Sequence, residues 1–255
     1  MFEEIKNYFK ENSIPEMRYK QLVESVFKLS RNNFDEIIQY PKILREELNS
    51  KFEIVSLKQV NIYKSEESVK FVLETKDKSF IEVVLMLHDD RRTVCVSSQI
   101  FCPLGCKFCA TGANKFTRNL TTEEIISQIL FVNYYLKKEE NSRTTNIVFM
   151  GMGEPFLNYE NVISAINIIN EKLEIGARHI TVSTAGIIPR IEEFAKYPKQ
   201  IRLAISLHAS NNKIRDELMP INKKYPITEL IKATDNFSKI TNKRVSFEYV
   251  LIKVI

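Results

Sequence analysis

The sequence predicts an α/β protein: a parallel sheet with helical crossovers, preceded by a small helical domain and a β-hairpin. Three observations carry that expectation. Residues 1–50 show helical spacing of apolar residues and little else. Residues 52–88 lose that spacing and become rich in Val, Ile, Leu and Phe. From Thr93 onward short apolar runs alternate with longer amphipathic ones, the signature of strand–loop–helix units. The alternation fits a partial (β/α) barrel or an open doubly wound sheet.

The elements follow in order. Met17 to Leu29 places Leu22, Val23, Val26 and Phe27 on one helical face, and Phe34 to Leu48 repeats the pattern. Pro15 and Pro41 mark breaks or helix starts. Ser68–Glu74 and Phe80–Leu87 read as hairpin strands around a turn at Lys76-Asp77-Lys78. Strands are expected at Thr93–Ser98, Asn146–Met150, His179–Ser183, Arg202–Leu207 and Arg244–Ile252. Helices are expected at Thr121–Lys138, Asn161–Leu173, Ile187–Lys196 and Ile227–Thr241, the first announced by the capping signal Thr121-Thr122-Glu123-Glu124. Residues 1–90 read as an accessory unit and 91–255 as the core. Ligands of such a sheet gather at the C-terminal ends of its strands.

Composition sets the class. With 255 residues and 44% hydrophobic content the chain can bury a substantial core. Charged residues at 27%, with only 6 Gly and 8 Pro, exclude a disordered or fibrous protein. The net charge of +5 permits an RNA partner without demanding one. No run of 18 apolar residues occurs and Met1-Phe2-Glu3-Glu4-Ile5-Lys6 lacks a signal-peptide pattern, so a cytoplasmic location and no membrane partner are expected. In a reducing compartment cysteines are ligands or catalysts more often than staples. All 4 lie between positions 95 and 109.

Cys102, Cys106 and Cys109 form a CxxxCxxC loop. Three thiolates on one short loop can hold three irons of a cubane, leaving the fourth open. An amine and a carboxylate on one small molecule can chelate that iron, and the methionine part of S-adenosylmethionine (SAM) has both. Two other readings stand beside this one: inert buried thiols, and a zinc site with Cys95 as fourth ligand, although none of the 3 histidines forms a CxxH or HxxxH pair.

Three strand ends follow the loop. Gly151-Met152-Gly153-Glu154-Pro155 closes one, and its glycines suit close approach of backbone to a ligand while Glu154 suits an ammonium. Ser183-Thr184-Ala185-Gly186 and Ser206-Leu207-His208-Ala209 close the next two. Each alone reads as a turn, a helix cap or a structural histidine. Their succession behind a cysteine loop points to one site.

Taken together, these motifs resemble the RlmN/Cfr family of radical SAM RNA methyltransferases. The resemblance is carried by Cys95 to Cys109, Phe116-Thr117-Arg118-Asn119-Leu120, Phe149 to Pro155, the two serine motifs and Leu218-Met219-Pro220-Ile221-Asn222, and it runs from about Met17 onward. It implies a radical SAM partial (β/α) barrel and a [4Fe–4S] cluster on Cys102, Cys106 and Cys109. It implies SAM contacts from Gly153, Glu154, Ser183, Ser206, Leu207 and His208, and catalytic roles for Glu82 and Cys95. The implied substrate is C2 of an adenine in 23S rRNA and in tRNA, with an external flavodoxin-type electron donor. C8 of the adenine, the Cfr-like outcome, is the alternative target. Without the resemblance, Cys95 reads as a buried strand cysteine and Glu82 as a solvated strand residue.

The family's mechanism uses one SAM to methylate a cysteine near the C-terminus and a second to generate a radical. The sequence carries no cysteine beyond Cys109, so the chain reads as truncated: SAM cleavage without RNA methylation is expected of these residues, and a silent cluster-, SAM- or RNA-binding protein is a further alternative. Apolar surface exposed where a last β/α unit would pack is expected to favour association. Phe101, where the family usually has Gly, and Ala185, where it often has Ser, are smaller departures. Basic residues that could meet RNA phosphates are Arg91, Arg92, Lys115, Arg118, Lys223 and Lys224.

Overall fold

The structure, a computed structural model, describes residues 1–252. Helix α1 (Phe2–Glu11) buries Ile5 and Phe9, four residues apart, and carries Glu3 and Glu4 in its first turn where the helix dipole favours them. Pro15 caps α2 (Glu16–Val23), which passes into a π turn at Glu24–Lys28. The chain then reverses at Ser30, whose φ is +56°. The helix expected over Phe34–Leu48 is divided. Phe34–Glu36 is a single 3₁₀ turn capped by Asn33, and α3 (Lys42–Lys51) starts behind Pro41. The division follows from Pro41, which disfavours helical backbone at Tyr40.

One eight-stranded sheet runs through the rest, in the order β1-β2-β3-β4-β7-β8-β9-β10. Strands β1 (Lys58–Lys64), β2 (Ser68–Glu74), β3 (Phe80–His88) and β4 (Arg91–Cys95) pair antiparallel. From β4 onward the pairing is parallel, through β7 (Asn146–Phe149), β8 (Ile180–Thr184), β9 (Arg202–Ser206) and β10 (Val245–Glu248). The hairpin expected from the sequence is thus the antiparallel flank of the same sheet, with β1 as an additional edge strand. Two short strands, β5 (Gln99–Ile100) and β6 (Arg118–Asn119), pair apart from it and bracket the cysteine loop.

The crossovers are α4 (Thr122–Glu140), α5 (Tyr159–Glu171), α6 (Ile188–Phe194) and α8 (Ile227–Thr241), with a further helix α7 (Asn212–Leu218) between β9 and α8. Helix α4 starts on a complete capping box formed by Thr121 and Glu124 and stops at Asn141 in the left-handed region. Strand β10 is shorter than the Arg244–Ile252 expected. The ladder runs out where β9 ends: the N–H groups of Leu207 and His208 both turn to the Glu248 carbonyl, and the Val250 N–H turns to His208 Nδ1 (3.1 Å).

The register fixes two faces. Ile81, Val83, Leu85, Val94, Ile147, Ile180, Val182, Leu203 and Ile205 are buried in the core shared with the helices. Phe71, on that face of β2, meets Phe131 and Tyr135 of α4 edge-on at 5.2 and 5.0 Å. The other face carries Glu82, whose neighbour Val84 pairs with Cys95, then Val148, Thr181 and Ser183 in turn, and finally Ser206 paired with Glu248.

Gln128 of α4 is fully buried and grips the chain just after β4: its Oε1 accepts from Ser97 N–H (2.7 Å) and its Nε2 donates to Ser97 O (3.0 Å). Gln128→Leu, close in shape but unable to bond, should leave both backbone groups unsatisfied and cost about 1–3 kcal/mol, read as a lower urea midpoint. Gln128→Glu should cost at least as much, because it buries a carboxyl whose second oxygen faces the Ser97 carbonyl.

Candidate active site

The segment between β4 and the first cysteine of the loop leaves the main sheet and pairs only briefly, as β5 with β6, so side chains satisfy many of its buried polar groups. Besides Gln128, Asn158 donates through Nδ2 to Ser98 O (2.8 Å) and Leu120 O (2.7 Å). Ser97 Oγ donates to Glu82 O (2.7 Å) and accepts from Met152 N–H (3.0 Å). Gln99 donates to Asn119 Oδ1 (2.7 Å) and accepts from Glu154 N–H (2.8 Å).

The turn after β7 lies directly on this segment. A Cβ at Gly151 would sit 2.8 Å from the Val96 carbonyl carbon and oxygen. One at Gly153, where φ is +100°, would sit 2.5 Å from Gln99 Cβ. The glycines therefore permit contact between two protein backbones, and not only, as expected from sequence, between backbone and ligand.

A cavity of about 230 Å³ opens above the strand ends. Cys102, Cys106 and Cys109 line one side, and Gly153, Glu154, Ser183, Ser206 and His208 the other. Burial pushes the thiols of Cys102 and Cys106 up to about 11 and about 12. Among the described residues, no three of His, Cys, Asp and Glu are grouped as ligands of a single ion. Cys95 is not among the residues lining this cavity. The Met150 N–H bonds to its sulfur, while burial, the larger influence, holds its thiol at about 11. Cys95, the fourth ligand named for a zinc site, thus stands outside the cavity that the other three cysteines line.

Glu154 is 3% exposed. Its Oε2 accepts from Ala185 N–H (2.7 Å) and its Oε1 from Phe156 N–H (3.0 Å). Burial raises its pKa against the pull of those donors and of the Thr184 hydroxyl. A carboxylate has four acceptor sites, so capacity for an ammonium remains. Ser183 and Ser206 both turn their hydroxyls to Glu248 Oε2, at 3.1 and 3.4 Å. His208, with φ +53°, packs its ring edge-on against Phe108 of the cysteine loop at 4.7 Å. Because its Nδ1 accepts from Val250, its proton sits on Nε2, and burial followed by the Arg215 charge lowers its pKa. Leu207 is not among the residues lining the cavity; its N–H goes to Glu248 O and its carbonyl accepts from Arg215 Nε.

Sequence reasoning missed Glu248, which gathers both serine hydroxyls. The only available signal was its place at the end of the last strand. Glu82 shares the face of Cys95 but pairs with Lys70 Nζ (3.0 Å) and stands half-exposed. A second cavity of about 230 Å³ lies beside it, walled by Phe80, Phe101 and Met152.

The expected basic contacts divide. Arg91 and Arg92 begin β4, at the opposite end from the cysteine loop, and Arg92 pairs with Glu140 (2.7 Å). Arg118 is held by Asp77 (2.7 Å) and by both oxygens of Glu124 (2.8 Å each). These three are committed or misplaced for RNA at this site. Lys115, Lys223 and Lys224 are exposed.

Comparison with known proteins bears on this arrangement. Residues 96–255 match the model of the radical SAM superfamily. A protein of Dictyoglomus turgidum named probable dual-specificity RNA methyltransferase RlmN is 46% identical over 252 residues, which are 98% of this chain and 72% of the relative. A protein of Thermotoga maritima with the same name is 43% identical, across 100% of this chain and 74% of its own length. The crystal structure of a radical SAM methyltransferase from Sphaerobacter thermophilus superposes with a TM-score of 0.93 at 40% identity, over 100% of this chain and 75% of that one.

The chain belongs to the RlmN family of radical SAM enzymes. Membership brings a [4Fe–4S] cluster and SAM as cofactors, and the donor set fits both. Three thiols of one short loop, all lining the cavity, suit three corners of a cubane. A carboxylate, two hydroxyls and a neutral imidazole opposite them suit a ligand bearing an ammonium and a ribose. With its cluster loaded, the enzyme can deliver an electron that cleaves a C–S bond of SAM.

Anaerobic reconstitution should give about four irons per chain and a broad visible absorption that reduction bleaches. Cys102→Ala, Cys106→Ala and Cys109→Ala should each abolish both, whereas Cys95→Ala should retain them. Iron retained by a Cys106→Ala protein, or lost from Cys95→Ala, would reassign the ligands.

Proposed function

We propose that this enzyme serves methyl transfer from SAM to C2 of an adenine in 23S rRNA and tRNA, in the cytoplasm, with electrons from a flavodoxin-type donor. In this reading Cys102, Cys106 and Cys109 hold the cluster. Gly153, Glu154, Ser183, Ser206, Leu207 and His208 form the SAM site. Glu82 and Cys95 act on the adenine, and residues 1–90 form the accessory unit that flanks it. The observation that carries the reading is the shared sheet face: Glu82, Cys95, Ser183, Ser206 and Glu248 all point to the side on which the three thiols stand. The names of the relatives, RNA methyltransferases of dual specificity, support the substrate class.

The chain's own residues divide the labour. Glu154 accepts the ammonium of SAM while keeping the β8 turn in place through Ala185. Ser183, Ser206 and Glu248 offer a hydroxyl–carboxylate set to the ribose. Cys95 is held as a neutral thiol by burial. A thiol of that kind reacts once a base takes its proton, which suits attack on a protein–RNA adduct late in the cycle. Glu82, half-exposed on the same face, is a proton acceptor within reach of solvent exchange. The flank of that face also carries Tyr63, half-exposed and paired across the ladder with Lys70, an aromatic surface on which a base can stack.

In the family mechanism the methyl group passes through a carrier thiol, and none lies beyond Cys109 in these residues. Two polypeptides test the reading. Residues 1–255, reconstituted and reduced, should convert SAM to 5′-deoxyadenosine but yield no 2-methyladenosine from 23S rRNA fragments. The same residues joined to the segment that follows the matched region in the Dictyoglomus turgidum relative should yield 2-methyladenosine, and Cys95→Ala in that fusion should stop turnover. Absence of SAM cleavage in the first protein, or 8-methyladenosine from the second, would contradict it.

A further inference from the structure

Arg215, on α7, is the largest fully buried side chain, with 0% exposure. Its guanidinium spends its donors on the main chain of the strand ends. Nη2 donates to Ala185 O (2.7 Å) and Ser206 O (3.1 Å), and Nε donates to Leu207 O (3.0 Å). Nη1 donates to Asn222 Oδ1 (3.0 Å), and Asn222 passes its own Nδ2 to Asp216 Oδ1 (2.6 Å). None of the four acceptors is charged. A guanidinium stays protonated, and burying one among neutral acceptors is costly.

Two features say where the charge is used. Helix α7 abuts the cysteine loop: Lys107 N–H donates to Leu218 O (2.9 Å), and Cys106 packs with Ala185, Leu218 and Met219. The Arg215 Nη2 also bonds the carbonyl of Ala185, one of the residues against which Cys106 packs. One fork therefore bonds the ends of β8 and β9 and sets a fixed cation behind the loop. Asp216 meets the guanidinium by way of Asn222, and three thiolates with a cluster on the loop would be further negative charge for it.

We propose that Arg215 is a positioning residue with two effects, locking the β8 and β9 ends into the SAM-binding shape and raising the reduction potential of the cluster by its charge. Net charge near a cluster is one of the determinants of its potential, and a nearby cation favours the more negative, reduced form. The fork geometry matters for the first effect and the charge alone for the second. That separates them experimentally, since lysine keeps the charge but cannot span carbonyls on two strands.

The inference rests on the cluster and SAM site assigned above. Loss of iron or SAM binding in the wild-type protein would sink that assignment, whereas the variants below bear on Arg215. The measurements are iron content, the cluster midpoint potential by EPR-monitored titration, and SAM affinity by equilibrium dialysis, on reconstituted wild type, R215K and R215M. R215M should keep its iron, bind SAM roughly ten- to hundredfold more weakly and titrate at a more negative potential. R215K should bind SAM as poorly as R215M while keeping the wild-type potential. A merely structural arginine would lower stability without moving the potential of the protein that remains folded. Wild-type SAM affinity, or an unshifted potential, in R215M overturns the proposal. Should R215M fail to take up iron, R215K decides: weakened SAM binding at the wild-type potential supports the proposal, and wild-type affinity overturns it.

Discussion

Four residues between β4 and the cysteine loop, Val96 to Gln99, leave the sheet before any helix or strand can take up all of their polar groups. They are buried, so those groups must be bonded. Gln128 from α4, Asn158 from the turn before α5 and the turn after β7 supply the bonds, and each tie fixes something else. Gln128 sets the height of α4 against the sheet. Asn158 joins Ser98 to Leu120, closing the base of the cysteine loop. Gln99 holds the Glu154 main chain, and Glu154 in turn holds Ala185 on the next strand. Displace this segment and the thiols, the carboxylate and the serine strands lose their common reference.

Parallel pairing extends that reference sideways. Because side chains alternate across a strand, one register places Cys95, Ser183, Ser206 and Glu248 on a single face, and the antiparallel flank adds Glu82 to it. The opposite face is consumed by the core. Chemistry is thereby confined to one side and to the strand ends, where Glu248 ties two neighbouring strands and Arg215 ties their carbonyls from behind. Polar groups buried near an apolar core are held by one another, which is why so few of them face solvent.

Much of this was legible in sequence. The strand–helix alternation after Thr93 and the Thr121–Glu124 cap correspond to β4 through α8, and the cysteine spacing marks the loop that rims the cavity. What stayed hidden has physical reasons. Strand β1 is an edge exposed almost throughout, so it shows no apolar alternation. Gln128, Asn158 and Arg215 are polar residues of ordinary appearance whose burial is decided by partners far away in the chain. The same holds in reverse for Arg92 and Arg118, which look free for phosphates and are bound to carboxylates. Phe101, at φ +58°, occupies a backbone conformation that disfavours a side chain by about 1–2 kcal/mol, which accounts for the glycine usual there in the family. Glu82 and Cys95 were recognisable only through family resemblance, since neither forms a motif with its neighbours.

In the proposed assignment, Cys102, Cys106 and Cys109 would hold three irons of the cluster, and the fourth would be left for SAM in the cavity lined by Glu154 and the serine strand ends. Mössbauer spectroscopy of isotopically enriched, reconstituted protein reads this directly. One iron in about four should be spectroscopically distinct, and its signal alone should shift when SAM is added. Four equivalent irons indifferent to SAM would mean that the open corner does not face this cavity.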